Sequence, residues 1–267
     1  MVKPSFVFVP GAWHRAEIWN KVAFILEAQG YKCLLVTLPT TNGSNTSSFV
    51  DDVHATQDMI RSETSQGRDV VVVVHSYGGV VGQSAMKGFT VTKDSGNNTG
   101  HVIGQFIIAS GFAIAGMTFL DGTGGVPPPT WGIDPSGFAE LRVPARELFY
   151  HDLPEEEGHE WVARLTKQSM KAFTEGRDVT YTGWLEVPNW LLMTTDDKAL
   201  PIDTQRMMAA MVKDQAKLTV REIATSHSPM LSKPEEVANM IIEATNTFTT
   251  VKDSASIEFG DIPANIK

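Results

Sequence analysis

Val70-Val71-Val72-Val73-Val74-His75-Ser76-Tyr77-Gly78-Gly79-Val80-Val81-Gly82 is the stretch whose reading decides the fold. Five consecutive β-branched residues predict a strand buried on both faces, because such side chains suit a pleated sheet and a half-exposed strand would alternate with polar residues. The run stops at a serine followed by Tyr and two glycines. Val80, Val81, Gln83, Ser84, Ala85 and Met86 then continue as a helix packed on the sheet. Strand, sharp turn and helix follow one another, with Ser76 on the turn. A serine so placed adopts a strained backbone conformation, its Oγ stands clear of the sheet, and the next residue's N–H points at the same space. The bland alternative makes Ser76 an N-cap of a crossover helix, so the rest of the chain has to decide.

Working outward, Phe6-Val7-Phe8-Val9 reads as a short apolar strand that ends at Pro10-Gly11-Ala12-Trp13-His14, where Pro and Gly forbid regular structure. Ile18, Trp19, Val22, Ile25 and Leu26 fall at helical spacing, with Gly30 at the place of a C-terminal cap. Lys32 to Leu38 is the next strand, Thr40 to Ser48 a loop, and Phe49, Val53, Thr56, Gln57 and Ile60 the next helix. The alternation predicts a parallel sheet covered by helices on both faces, with ligands at the carboxyl ends of the strands. A polar loop at Lys93 to Gly100 precedes the strand Val102 to Ser110.

The pattern breaks between about Gly111 and Trp184, where a triple proline and helical segments such as Glu160 to Phe173 predict an insertion lying over the site as a cap. Residues 113–184 are assigned to this helical cap, and 1–112 with 185–267 to the core. The break brings Trp131, Trp161, Trp184, Phe112, Phe119 and Phe138, most of them the cap's own core and a few lining a pocket. The alternation resumes with the strand from Asn189, then Asp196-Asp197, a helix from Asp203, the strand Leu218 to Ile223, Ser226-His227-Ser228-Pro229, and a helix from Pro234. About six strands result. The tail after Asp253 carries no assignable pattern.

Bulk properties narrow the class. The 267 residues suit one buried core with an insertion, and a formal charge of −9 argues against nucleic acid or an anionic membrane as partner. The single cysteine, Cys33, excludes an intrachain disulfide and reads as an inert core thiol. The N-terminus lacks the pattern of a secretory signal and no stretch suffices to span a bilayer, so the expectation is a cytoplasmic protein. On that basis the Asn-X-Ser/Thr matches at Asn42, Asn45 and Asn97 read as polar loops. Oligomeric state stays open, with a homodimer among the states allowed.

Three chemical groups follow three strands in the order Ser76, Asp197, His227. A serine hydroxyl attacks well only when an imidazole takes its proton, and the imidazole works best when a carboxylate fixes its tautomer. That order is the one expected of nucleophile-elbow hydrolases. The N–H groups of Tyr77 and Ala12 are the candidate oxyanion donors, since Pro10 has no N–H. Asp196 and Asp121 compete for the acid position. His75 reads as support for the turn. His151 and His159 in the acidic run before Trp161 have no metal-ligand spacing and read as the solvated start of a helix. Trp13, Tyr77, Trp184 and Met230 are candidate substrate contacts.

With these residues in view the chain resembles the α/β-hydrolase superfamily, and within it the small esterase branch of plant methylesterases and hydroxynitrile lyases. The likeness rests on Val9-Pro10-Gly11-Ala12-Trp13-His14, His75-Ser76-Tyr77-Gly78-Gly79, Phe149-Tyr150-His151-Asp152, Asp197-Lys198-Ala199-Leu200-Pro201 and Ser226-His227-Ser228-Pro229-Met230-Leu231. It implies a Ser76 nucleophile, Asp197 acid and His227 base, cleavage of a small-molecule ester or lactone with no metal or organic cofactor, and an acyl-enzyme. In two places the pattern departs: Pro10-Gly11 replaces a common His-Gly pair, and Val74 stands at the first glycine of G-x-S-x-G. A C–C lyase using the same base is a second reading, but such lyases carry a lysine after the histidine and a threonine in the first loop, where this chain has Ser228 and Ala12. A non-catalytic small-molecule receptor is a third, since fold alone does not settle function.

Overall fold

A computed structural model describes residues 2–91 and 99–260, with side chains as far as Lys252. Most of the loop expected at Lys93 to Gly100, the acceptor at Asn97, and the last residues of the tail lie outside the described residues. The elements run β1 (Ser5–Val9), α1 (Asn20–Ala28), β2 (Lys32–Leu35), α2 (Phe49–Thr64), β3 (Val70–His75), α3 (Gly78–Ala85) and β4 (Val102–Ile108). The segment that follows holds β5 (Trp131–Ile133), β6 (Phe138–Leu141), α4 (Ala145–Phe149), α5 (Glu155–Ala163), β7 (Gln168–Ser169) and α6 (Lys171–Thr174). The core then resumes with β8 (Asn189–Thr194), α7 (Ile202–Val212), β9 (Leu218–Ile223), α8 (Pro229–Ser232) and α9 (Pro234–Gly260). α9 thus carries the unassigned tail past Asp253 as helix.

Six parallel strands make one sheet in the order β2-β1-β3-β4-β8-β9. All five valines of β3 are fully buried, which is why the strand shows no alternation. The chain leaves β1 towards β2 and returns on the other side of β1 to form β3, so the sheet's switch point lies between β1 and β3. Crevices at such points, beyond the carboxyl ends of the strands, are where ligands bind in open α/β sheets. Val9 pairs with Val74, which sets the Pro10 loop beside the Ser76 turn.

Val74 fits at the elbow because its neighbour gives way: a Cβ on Gly82 would lie 2.4 Å from Val74 Cγ1. The glycine has in effect moved to the facing helix. β2 is shorter than the strand expected to Leu38, and the helix expected over Glu160 to Phe173 is instead the end of α5, the short strand β7 and α6. β5, β6 and β7 form an antiparallel sheet in the segment between β4 and β8, built from strands too brief to show a period. Cys33 on the edge strand β2 is half-buried, and burial pushes its thiol up to about 12. No described helix is long and apolar enough to cross a membrane.

Candidate active site

Ser76 has φ of +52°, in the left-handed region that a residue with a Cβ enters only under strain of roughly 1–3 kcal/mol. The strain is held by the peptide that follows: Ser76 O accepts the Gly79 N–H at 2.9 Å and the Ser110 hydroxyl at 2.6 Å. With its carbonyl pinned on one side, that peptide presents the Tyr77 N–H on the other. The β1 loop is pinned in the same manner, since Gly11 O accepts the His14 N–H at 3.3 Å and the Ala12 N–H belongs to that peptide. Neither the Ala12 nor the Tyr77 N–H has a partner among the described residues. The loop comes close to the serine, and a Cβ on Gly11 would lie 3.1 Å from Ser76 Cβ. Ser76 itself is half-buried, and its hydroxyl makes no hydrogen bond among the described residues. Catalytic hydrogen bonds often tighten only when substrate is bound.

His227 Nδ1 lies 2.7 Å from Asp197 Oδ2, both side chains buried. A carboxylate only accepts, so the proton sits on Nδ1 and Nε2 is left as a base. Asp197 is held by its own loop and strand: Oδ1 accepts the N–H groups of Ala199 and Leu200, each at 2.8 Å, and Oδ2 accepts Thr194 Oγ1 at 2.7 Å and Gln205 Nε2 at 3.3 Å. Burial pushes this carboxyl up, but the His227 charge and the hydrogen bonds from His227, Leu200 and Thr194 outweigh it, and Asp197 stays below the ordinary carboxylate range. His75, the residue before the serine, donates from Nε2 to His227 O at 2.8 Å, and the two rings lie 4.6 Å apart. Burial, then the charges of His227 and His14, hold the His75 pKa well below 6.5. It stays neutral and tethers the His227 loop to the strand that leads into Ser76.

The competing acids point elsewhere. Asp196 is exposed, and Asp121 bonds Thr118 and Arg177 on the surface. Trp13, Trp184 and Met230 are all buried. The Trp13 indole N–H donates to Ala139 O at 3.0 Å and the Trp184 indole N–H to Ala113 O at 2.8 Å.

Several residues of the site carry no role in the sequence reading. His14 Nδ1 donates to Ala12 O at 2.6 Å, which leaves Nε2 to accept the Tyr150 hydroxyl at 2.6 Å. Burial lowers the His14 pKa to about 4, with a backbone bond to Ala12 opposing and the His227 charge adding to the shift. Asp152 accepts the Ser226 N–H at 3.0 Å and so fixes the loop of His227. Asp52 on α2 accepts the Tyr77 hydroxyl at 2.8 Å, and burial raises its pKa to about 6 against the hydrogen bonds from Thr40 and Tyr77. Asp52 had one signal in the sequence. It falls on the helix face shared by Phe49, Val53, Thr56 and Ile60, where an apolar residue belongs.

Residues 6–240 match the model of the alpha/beta hydrolase family. The chain is 28% identical over 255 residues to an alpha/beta hydrolase, nvfD, of Aspergillus novofumigatus, covering 91% of this chain and 97% of that one. It is 26% identical over 275 residues to methylesterase 1 of Arabidopsis thaliana, covering 92% and 97%. Among solved structures, polyneuridine aldehyde esterase matches with a TM-score of 0.71 at 19% identity, covering 91% of this chain and 99% of that one. Tomato methylketone synthase I with 2-tridecanone matches with a TM-score of 0.73 at 18% identity, covering 93% and 100%. At these identities the two structures speak for the fold. The chain belongs to the α/β-hydrolase family and is similar to plant methylesterases.

Proposed function

We propose, from this membership of the α/β-hydrolase family, that the protein cleaves a carboxylic ester or lactone of an apolar or aromatic small molecule through an acyl-enzyme on Ser76. Ser76 Oγ attacks the carbonyl carbon while His227 Nε2 takes its proton. The carbonyl oxygen becomes an oxyanion held by the Ala12 and Tyr77 N–H groups. His227 returns the proton to the departing alkoxide, and water, deprotonated by the same imidazole, releases the acid. Asp197 keeps the imidazole in the required tautomer and stabilises its cation.

The observation that carries this reading is the 2.7 Å Asp197–His227 hydrogen bond, whose acceptor leaves Nε2 as the only free base of that ring. The aromatic content of residues 113–184 supports an apolar substrate. Because relatives are named methylesterases, methyl esters are the first class to assay, beside aryl esters and aromatic lactones. Ser76→Ala, folded by circular dichroism, is expected to lose roughly 10⁴- to 10⁶-fold in kcat and all labelling by an aryl fluorophosphonate. Hydrolysis at the wild-type rate would remove Ser76 from the mechanism.

A further inference from the structure

The two proposed oxyanion donors lie on different loops, yet one line of buried side chains joins them. Starting from the serine's turn, the Tyr77 hydroxyl donates to Asp52 Oδ2 at 2.8 Å. Thr40 donates to the same carboxylate twice, from Oγ1 to Oδ2 at 2.6 Å and from its backbone N–H to Oδ1 at 3.0 Å. Gln168 Nε2 donates to Thr40 Oγ1 at 2.9 Å, and Gln168 Oε1 accepts the Trp13 N–H at 3.1 Å. Tyr77, Asp52, Thr40 and Gln168 are all essentially inaccessible to solvent.

The direction of every bond in this line is fixed from both ends. A backbone N–H cannot accept, so Gln168 must turn Oε1 towards Trp13 and Nε2 towards Thr40. The Thr40 hydroxyl therefore receives from Gln168 and must give to Asp52, which can take it because a carboxylate only accepts. No step can reverse without leaving a buried group unpaired. The Trp13 N–H and the Ala12 carbonyl belong to one peptide, and His14 Nδ1 holds that carbonyl at 2.6 Å. Gln168 and His14 thus grip the two ends of the peptide plane that adjoins the Ala12 donor. At the other terminus, Tyr77 is the residue whose own N–H is the second donor.

Asp52 has no cationic partner among the described ion pairs, although it is fully buried. Stability alone would favour an apolar side chain at this position of α2. Resting on the ester-hydrolase reading, we infer that Tyr77–Asp52–Thr40–Gln168–Trp13 is a single positioning unit that aims both oxyanion donors, and that Gln168, the only one of its members supplied by residues 113–184, makes the hole complete only when that segment is seated. Asp52, Thr40 and Gln168 are positioning residues, acting on the site through Tyr77 and the Trp13 peptide.

The test compares an aryl ester with the matching thionoester, whose sulfur is a weaker and longer-reaching acceptor and draws less from preorganised N–H donors. Loosening the hole slows the ester selectively, whereas damage to the proton relay or the fold slows both alike. Tyr77→Phe, Thr40→Val and Gln168→Leu are each expected to lower kcat for the ester about tenfold, with KM within about twofold and an equal fall in the ester-to-thionoester ratio, less than outright loss of a donor. Thr40→Ser, which keeps the hydroxyl, should hold the wild-type ratio. The Tyr77→Phe/Gln168→Leu pair should lose little more than the worse single variant, because members of one network are not additive. Ratios unchanged in all three single variants, or a pair whose loss is the product of the singles, would overturn the coupling while wild-type fluorophosphonate labelling of Ser76 left the esterase reading intact. Absence of that labelling would overturn both.

Discussion

The loop that carries Asp197 and the loop that carries Ala12 belong to the same proposed site but are fastened in different ways. Asp197 takes its hydrogen bonds from Thr194, Ala199, Leu200, Gln205 and His227, all within the stretch from β8 to the loop that follows β9. The Gly11–His14 loop, besides the bonds from His14 to its own Gly11 and Ala12 carbonyls, is held from residues 113–184. Trp13 bonds Gln168 through its N–H, Thr166 through its carbonyl and Ala139 through its indole, and His14 bonds Tyr150. Asp197 is positioned by groups close to it in sequence, and the Ala12 loop also by residues more than a hundred positions away. Movement of residues 113–184 is therefore expected to alter stabilisation of the oxyanion and to leave the carboxylate where it is.

The largest effect that separates the two comes from Asp197→Asn. The Ala199 and Leu200 N–H groups cannot turn, so the asparagine oxygen must face them and its NH₂ must face His227. The imidazole then has to accept at Nδ1 and carry its proton on Nε2, the tautomer that cannot take the serine's proton. We expect kcat to fall about 10⁴-fold with the ester-to-thionoester ratio at its wild-type value. A fall in that ratio as large as that of Gln168→Leu would show that the acid loop and the oxyanion loop are not independently held.

The same contrast explains what the sequence disclosed. Val70 to Val74 announced the central strand because burial on both faces removes every polar position, and Asp197 and His227 could be picked because each lies three or four residues beyond a strand. Those signals are local. Asp52, Gln168 and Tyr150 matter through partners that periodicity cannot supply, and β7, of two residues, is too short to carry a pattern. Val74 was a departure from the glycine of the elbow whose compensation, Gly82, lay eight positions on in the facing helix and became visible only as a distance.

His14 offers a pH measurement on the oxyanion side. Its folded pKa of about 4 lies below the ordinary 6.5, so between those values the unfolded chain binds a proton that the folded one does not. Stability from this group is complete above about pH 6.5, is lost as pH falls towards 4, and changes no further below that. The loss is of order 3 kcal/mol at roughly 1.4 kcal/mol per unit. Urea midpoints of the wild type should fall more steeply across this window than those of His14→Gln, by close to one proton. Equal slopes would mean that water reaches His14 and that the inserted segment does not seal the loop.

The smallest effect is expected where the acid loop does touch the inserted segment. Lys198 Nζ pairs with Glu147 Oε2 at 2.9 Å, with both side chains about half exposed. Exposed pairs of this kind contribute roughly 0–1 kcal/mol and are weakened further by salt. Because five internal hydrogen bonds already hold the neighbouring Asp197, cutting this tie with Glu147→Gln should leave kcat within about twofold and the ester-to-thionoester ratio unchanged. A tenfold loss of kcat in Glu147→Gln, at a ratio equal to the wild type's, would mean that the carboxylate leans on residues 113–184 as the oxyanion loop does, and the distinction between the two loops would be one of degree.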